Sequence, residues 1–139
     1  HCWWNPWISI DITMNYLAHL YLSGSNKGLV IGNFISDHVK GKAFLDYPKS
    51  IQNGILLHRK IDHFTDHHKL FKKNVSLLFP RFRHYSRVIV DMFFDHFLAA
   101  QWELYHTDSL EEFSSQFYQL MQEYRGNLPN KTKIILPIM

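Results

Sequence analysis

Ile51 to His68 reads IQNGILLHRKIDHFTDHH, and the spacing of its apolar and ionisable residues decides the fold. At about 100° per residue, His58 and Asp62 lie one turn apart on the same side of a helix. Ile51 and Ile55 flank them on one edge, and Leu57 and Ile61 on the other. Arg59, Lys60, His63 and His67 point the opposite way. A surface helix keeps its ionisable groups on the solvent arc, but here a histidine and a carboxylate sit in the arc that should be buried. Burial of such groups is expensive unless they are paired or bind a metal.

The flanking segments have the same character. Asn15 to Leu22 reads as a short apolar helix carrying His19. Gly24-Ser25-Asn26 makes a turn, and Asn26 is placed to cap a helix that runs to about Lys40, with Asn33 and Asp37 one turn apart. Gly41 and then Asp46-Tyr47-Pro48 end that helix and open the central one. Beyond the central helix, the chain from Lys69 is basic and is expected to break at Pro80. Ser86 to about Tyr105 reads as a second strong helix, with Asp91 and Asp95 one turn apart among Val88, Phe94, Leu98 and Trp102. Thr107-Asp108-Ser109 offers caps for a helix from Leu110 to about Arg125. Gly126 to Pro129 breaks the chain, and Lys131 to Met139 opens another helix. No strand-like alternation or internal repeat occurs, so the expected class is all-α.

Residues 1–13, HCWWNPWISIDIT, differ from the rest. They hold three of the four Trp, no Lys or Arg and no helical period, and they lack the basic n-region of a signal peptide. They are expected to be a non-native or disordered extension outside the fold, with the patterned domain running over 14–139.

A chain of 139 residues suits one domain. The longest apolar run, Val88 to Ala100, is interrupted by Asp91, Asp95 and His96 and falls short of the roughly 18 to 20 residues that span a bilayer. Cys2 is the only cysteine, which excludes a disulfide framework and a cysteine-based zinc site and fits a reducing cytoplasm. The net charge of +3 is unevenly spread. From His67 to Val90 there are six basic residues (Lys69, Lys72, Lys73, Arg81, Arg83 and Arg87) and no Asp or Glu. Such a stretch suits an acidic partner surface or phosphate; an ordinary solvated face explains the charge equally well.

Three helices thus place Asp37, then His58 with Asp62 and Asp66, then Asp91 with Asp95 on packed faces. Converging carboxylates repel and take up protons unless a cation intervenes. One imidazole with several carboxylates is a hard, mixed donor set that favours Mn, Mg or Fe over a closed zinc site. A bound metal of this kind polarises a phosphoryl oxygen and activates water. No P-loop, dinucleotide fingerprint or nucleophile–base motif is present. Each feature also has a plain structural reading. A His/Asp pair one turn apart serves as a hydrogen bond, Asp91 and Asp95 serve as caps or Arg partners, and His38, His63, His67, His68, His84 and His106 lie on the surface.

Four stretches in this order and spacing carry a resemblance. They are Met14-Asn-Tyr-Leu-Ala-His-Leu-Tyr-Leu-Ser23, Gly32-Asn-Phe-Ile-Ser-Asp37, Gly54-Ile-Leu-Leu-His-Arg-Lys-Ile-Asp62 with Thr65-Asp66, and Asp91-Met-Phe-Phe-Asp-His-Phe97. Together they resemble the acyl carrier protein phosphodiesterase family. The resemblance implies an all-helical bundle similar to a distorted HD-type phosphohydrolase domain, incomplete at its C-terminal end. It also implies a divalent cation, foremost Mn2+ with Mg2+ or Fe2+ as alternatives, and removal of 4′-phosphopantetheine from the serine of holo-acyl carrier protein. By motif it makes Asp37, His58, Asp62 and Asp95 metal ligands, and His19, Asn33, Arg59, Asp66, Asp91 and His96 catalytic or phosphate contacts. The Asp95-His96 order is the reverse of the family's usual His-Asp pair. The acidic carrier protein is the expected partner of the basic stretch, with no nucleic acid and no membrane span. Two other readings stay open: an HD-type hydrolase acting on a nucleotide, and a non-catalytic helical module that docks on an acidic carrier.

Overall fold

The computed structural model describes residues 16–135, and every regular element in them is helical. In order they are α1 (Tyr16–Leu22), α2 (Lys27–Ile35), α3 (Lys49–His67), α4 (Lys69–Phe82), α5 (Tyr85–Ala100), α6 (Leu110–Tyr124) and α7 (Asn130–Ile135). The chain is all-α, as its periodicity requires. Residues 1–13, with the extension expected there, lie outside the described residues.

Helix starts follow the capping residues. Asn26 Oδ1 accepts from the Leu29 amide at 3.1 Å and starts α2, while Ser109 Oγ accepts from the Glu112 amide at 3.1 Å and starts α6. Pro48 immediately precedes the first residue of α3. Three expected boundaries move. The first is at α5, which ends at Ala100 rather than about Tyr105: a separate 3-10 turn, Trp102–Leu104, follows, and Trp102 is buried with its indole N–H donating to the Asp108 carbonyl. Rather than running to about Lys40, α2 ends at Ile35, and a three-residue 3-10 turn, Ser36–His38, follows. Ser, Asp and His are weak helix formers, and Val39 leaves the helical path to bury itself in the core at 4% exposure. Nor does Pro80 break α4. It lies in the last turn, where its missing N–H forfeits one bond, and the chain reverses three residues later at Arg83, φ 53°.

The core gathers Tyr16 and Leu20 of α1, Ile31, Phe34 and Ile35 of α2, Ile51 and Ile55 of α3, and Phe117 and Met121 of α6. Its tightest seam is α2 against α3. A side chain at Gly32 would land on the Ile51 carbonyl oxygen, and one at Gly54 would come within 2.6 Å of the Leu29 carbonyl oxygen. The two backbones therefore meet directly, which seats Asn33 of α2 beside His58 of α3.

The α4–α5 hairpin is packed less completely. Phe71 is the one buried residue of α4, and Ser86 and Val90 are those of α5. Asp95 is one tie between the hairpin and the rest: its two carboxylate oxygens accept from the Leu17 amide at 3.1 Å and the Ala18 amide at 3.0 Å. A carboxylate at the first turn satisfies free amides and suits the helix dipole of α1. Among the described residues, no helix is long and apolar enough to cross a membrane.

Candidate metal centre

His19 and His58 reach the same place from α1 and α3. Both are buried, at 2% and 5% exposure, and their rings stack with centroids 3.9 Å apart and planes 13° from parallel. Asp62, one turn beyond His58, sits astride both: Oδ1 is 3.1 Å from His19 Nε2 and Oδ2 is 3.2 Å from His58 Nε2. Asp37 approaches His58 Nε2 from the turn after α2, at 3.3 Å. Among the described residues, His19, His58 and Asp62 offer three donor atoms within 4.8 Å of one another.

Asn33 sets the orientation of His58. Its Nδ2 donates to the His19 carbonyl oxygen at 3.0 Å and to Ser23 Oγ at 2.7 Å, and Ser23 Oγ donates to the same His19 carbonyl at 2.7 Å. These two bonds fix the amide so that Oδ1 faces His58 Nδ1 at 2.9 Å. An oxygen there requires Nδ1 to donate, which leaves Nε2 turned toward the carboxylates. Asn33 is fully buried, so the alternative of an unpaired amide is costly. His19 Nδ1 is buried and has no hydrogen-bond partner among the described residues.

The electrostatics follow from this crowding. Burial pulls the His58 pKa down, but hydrogen bonds and charge from Asp37 and Asp62 outweigh it and leave it at about 9. Asp37 is lowered, chiefly by its bond to His58. Burial would raise Asp62, yet the two imidazoles hold it below the usual carboxylate range. Asp91 is raised to about 7 by burial and by the charges of Asp62, Asp66 and Asp95. Asp95 is raised to about 6 by burial, against the two amides that it accepts.

The residues singled out in the sequence thus divide. His19, Asn33, Asp37, His58 and Asp62 are brought together. Asp91 stands close enough to feel Asp62, Asp66 and Asp95. Asp95 turns its oxygens to the α1 amides, Asp66 pairs with Arg87, and Arg59 donates to the carbonyls of Val39 and Gly41. His96 is exposed, its ring 5.8 Å from that of Phe97. His38 and His106, read as surface residues, are half-buried: His38 lies 2.6 Å from Thr132 Oγ1, and His106 stacks on Trp102 with ring centroids 5.1 Å apart. Ser23 and Thr132 were not found by sequence reasoning; a small hydroxyl near a helix end gives no periodic signal.

The donor set tests well against a divalent cation. Two imidazoles and a bridging carboxylate, with a second carboxylate alongside, are mixed N/O donors of the kind that hard or borderline cations prefer. The Asn33 bond to His58 is the outer support that metal-binding histidines ordinarily have. The fold and the site thus define an all-helical protein in which two buried histidines meet two half-exposed carboxylates. Residues 14–139 match the acyl carrier protein phosphodiesterase family, and the chain belongs to it. Acyl carrier protein phosphodiesterase of Yersinia pestis is 37% identical over 90 residues, 65% of this chain and 47% of that protein. The Klebsiella pneumoniae protein of the same name is 37% identical over 101 residues, covering 72% of this chain and 52% of its own length. That of Photorhabdus laumondii is 35% identical over 101 residues, with 72% and 51% covered. The chain spans about half the length of these curated relatives. No solved structure matches it.

Proposed function

We propose that the chain takes part in hydrolysis of the phosphodiester between 4′-phosphopantetheine and the serine of holo-acyl carrier protein, giving the apo form. The observation that carries this reading is the convergence of His19, His58 and Asp62 donor atoms within 4.8 Å in a member of this family. His19, His58 and Asp62 would hold a divalent cation, with Asp37 beside them; manganese is the first candidate, with magnesium or iron as the others. A cation held there polarises a phosphoryl oxygen and lowers the pKa of a bound water.

The chain's own groups supply the rest. In the reaction a water oxygen bonds to phosphorus, the bond from phosphorus to the serine oxygen breaks, and the serine oxygen takes up a proton. Asp91, whose carboxyl feels the charges of Asp62, Asp66 and Asp95, would give that proton to the leaving oxygen, and a cation offsetting those charges would ease its release. Asn33 keeps His58 Nε2 facing the centre. Holding the cation requires His58 to give up the proton it now shares with Asp37 and Asp62, so affinity rises with pH.

Docking of the acidic carrier falls to the start of α4. Lys69, Lys72 and Lys73 are exposed there, one turn apart, with no acidic residue in the first turn. Positive charge at a helix N-terminus opposes the dipole, a cost that folding alone does not explain. Arg81 and Arg83 stand at the other end of α4, and Arg87 is engaged by Asp66. Mass spectrometry of holo-carrier protein, incubated with the chain with and without Mn2+, tests the reading. Metal-dependent loss of phosphopantetheine is expected, and no loss with a folded, full-length relative as positive control would contradict it. Charge reversal at Lys72 and Lys73 is expected to raise KM for the carrier while leaving cleavage of a small phosphodiester unchanged.

A further inference from the structure

We infer that Arg59 and Thr132 are positioning residues that clamp, from two sides, the turn that carries Asp37. The inference rests on the metal-centre reading above and gives Arg59 a role other than the phosphate contact that the resemblance implied. Asp37 is not fixed by its own packing. Its side chain is 49% exposed, and among the described residues its one ion pair is with His58. It stands on a three-residue 3-10 turn, beyond which the chain is extended through Val39 and Lys40. Its position is therefore only as definite as that short stretch of backbone.

Two residues distant in sequence hold the stretch. Arg59, half-buried one turn beyond Ile55 on α3, sends Nη2 to the Gly41 carbonyl at 3.0 Å and to the Val39 carbonyl at 3.4 Å. Its guanidinium also lies over the Phe44 ring, 5.1 Å from the centroid, so the group is committed to the segment following Asp37. Thr132 of α7 is fully buried, and its hydroxyl lies 2.6 Å from Nδ1 of His38, the residue next to Asp37, across 94 positions of sequence. A buried hydroxyl without a partner is costly, so the Thr132 bond locks α7 to the turn. A charged donor on one side and a buried hydroxyl on the other leave the Asp37 backbone little freedom. Metal sites are sensitive to such outer supports, whose loss costs on the order of 10- to 100-fold in affinity.

The test is calorimetric titration of Mn2+ into the unsubstituted chain, Arg59→Gln, Thr132→Val and Thr132→Ser, with amide exchange of residues 36–41 followed in the metal-free proteins. Arg59→Gln and Thr132→Val are each expected to weaken Mn2+ by about tenfold or more, and the Val39 amide to exchange faster. Thr132→Ser, which keeps the hydroxyl, is expected to restore both, and KM for the carrier should not change. Unaltered Mn2+ affinity and exchange in folded Arg59→Gln, with a raised KM, would make Arg59 a phosphate contact and overturn the inference. Absence of Mn2+ binding by the unsubstituted chain would overturn the metal reading instead. In that case the exchange data, read without metal, still decide whether the two residues hold the turn: unchanged exchange in both variants overturns the clamp.

Discussion

The α4–α5 hairpin is richer in apolar residues than the α2–α3 pair, yet it buries fewer of them. Ile31, Phe34, Ile35, Ile51 and Ile55 are exposed by 4% or less. In the hairpin, Leu70, Leu77, Phe93 and Phe97 are each more than half exposed. Gly32 and Gly54 bring the first pair together backbone to backbone, whereas neither α4 nor α5 contains a glycine. Close approach of two backbones removes the play that longer side chains would allow. His58 and Asp62 stand on the tight pair, with His19 brought in from α1, and the basic stretch from Lys69 to Arg87 stands on the looser one. Chemistry that depends on fractions of an ångström needs the first setting, and long-range attraction to a partner tolerates the second.

Enlarging a glycine in the seam should have the greatest effect. Gly54→Leu drives a branched side chain into the backbone of α2, and loss of the cooperative thermal transition is expected; a cooperative melt near that of the parent would show that the helices are not in backbone contact. Next, Ile55→Ala should cost about 2–5 kcal/mol in urea unfolding, as for a fully buried aliphatic. Leu77→Ala, at a position 71% exposed, should stay within about 0.5 kcal/mol. Similar losses at the two positions would erase the distinction between the regions.

A smaller effect concerns pH. In the metal-free chain the folded-state pKa of His58 is raised to about 9, so its contribution is complete below the ordinary histidine pKa and is lost as pH rises through about 9. Asp91 and Asp95 are raised to about 7 and about 6. Over the range from the ordinary carboxylate pKa to those values, the folded state holds more protons than the unfolded one, and stability again falls as pH rises. The depressed Asp37 and Asp62 act in the opposite sense, losing their contribution only as pH falls through the acid range. Burial lowers the His38 pKa and acts in the opposite sense up to the ordinary histidine range, so the decline in melting temperature should be clearest between about pH 7 and pH 9. A rise between about pH 7 and pH 9 would mean that His58 is not crowded by Asp37 and Asp62 as described.

Much of this was legible in α3 itself. The 3.6-residue period placed His58 and Asp62 on the buried side; His58 is buried, whereas Asp62, one turn further toward the end of the helix, stays 48% exposed. Caps at Asn26 and Ser109 were equally plain, since a short side chain with an oxygen before an apolar run has a local mechanism. What escaped is non-local. Nothing in the spacing of α5 tells that Asp95 will serve the amides of α1, although capping was among the readings left open for it. Thr132 meets His38 only because α7 folds back over the turn after α2. The end of α2 at Ile35 likewise depends on where Val39 finds the core.

The central claim is that His19, His58 and Asp62 together hold one divalent cation. Electron paramagnetic resonance of Mn2+ titrated with the protein reads free ion directly and needs no substrate. The parent chain should deplete the free signal to a one-to-one endpoint, and folded Asp62→Ala, which loses the carboxylate facing both imidazoles, should not. Equal depletion by the two proteins, or none by the parent, would contradict the assignment.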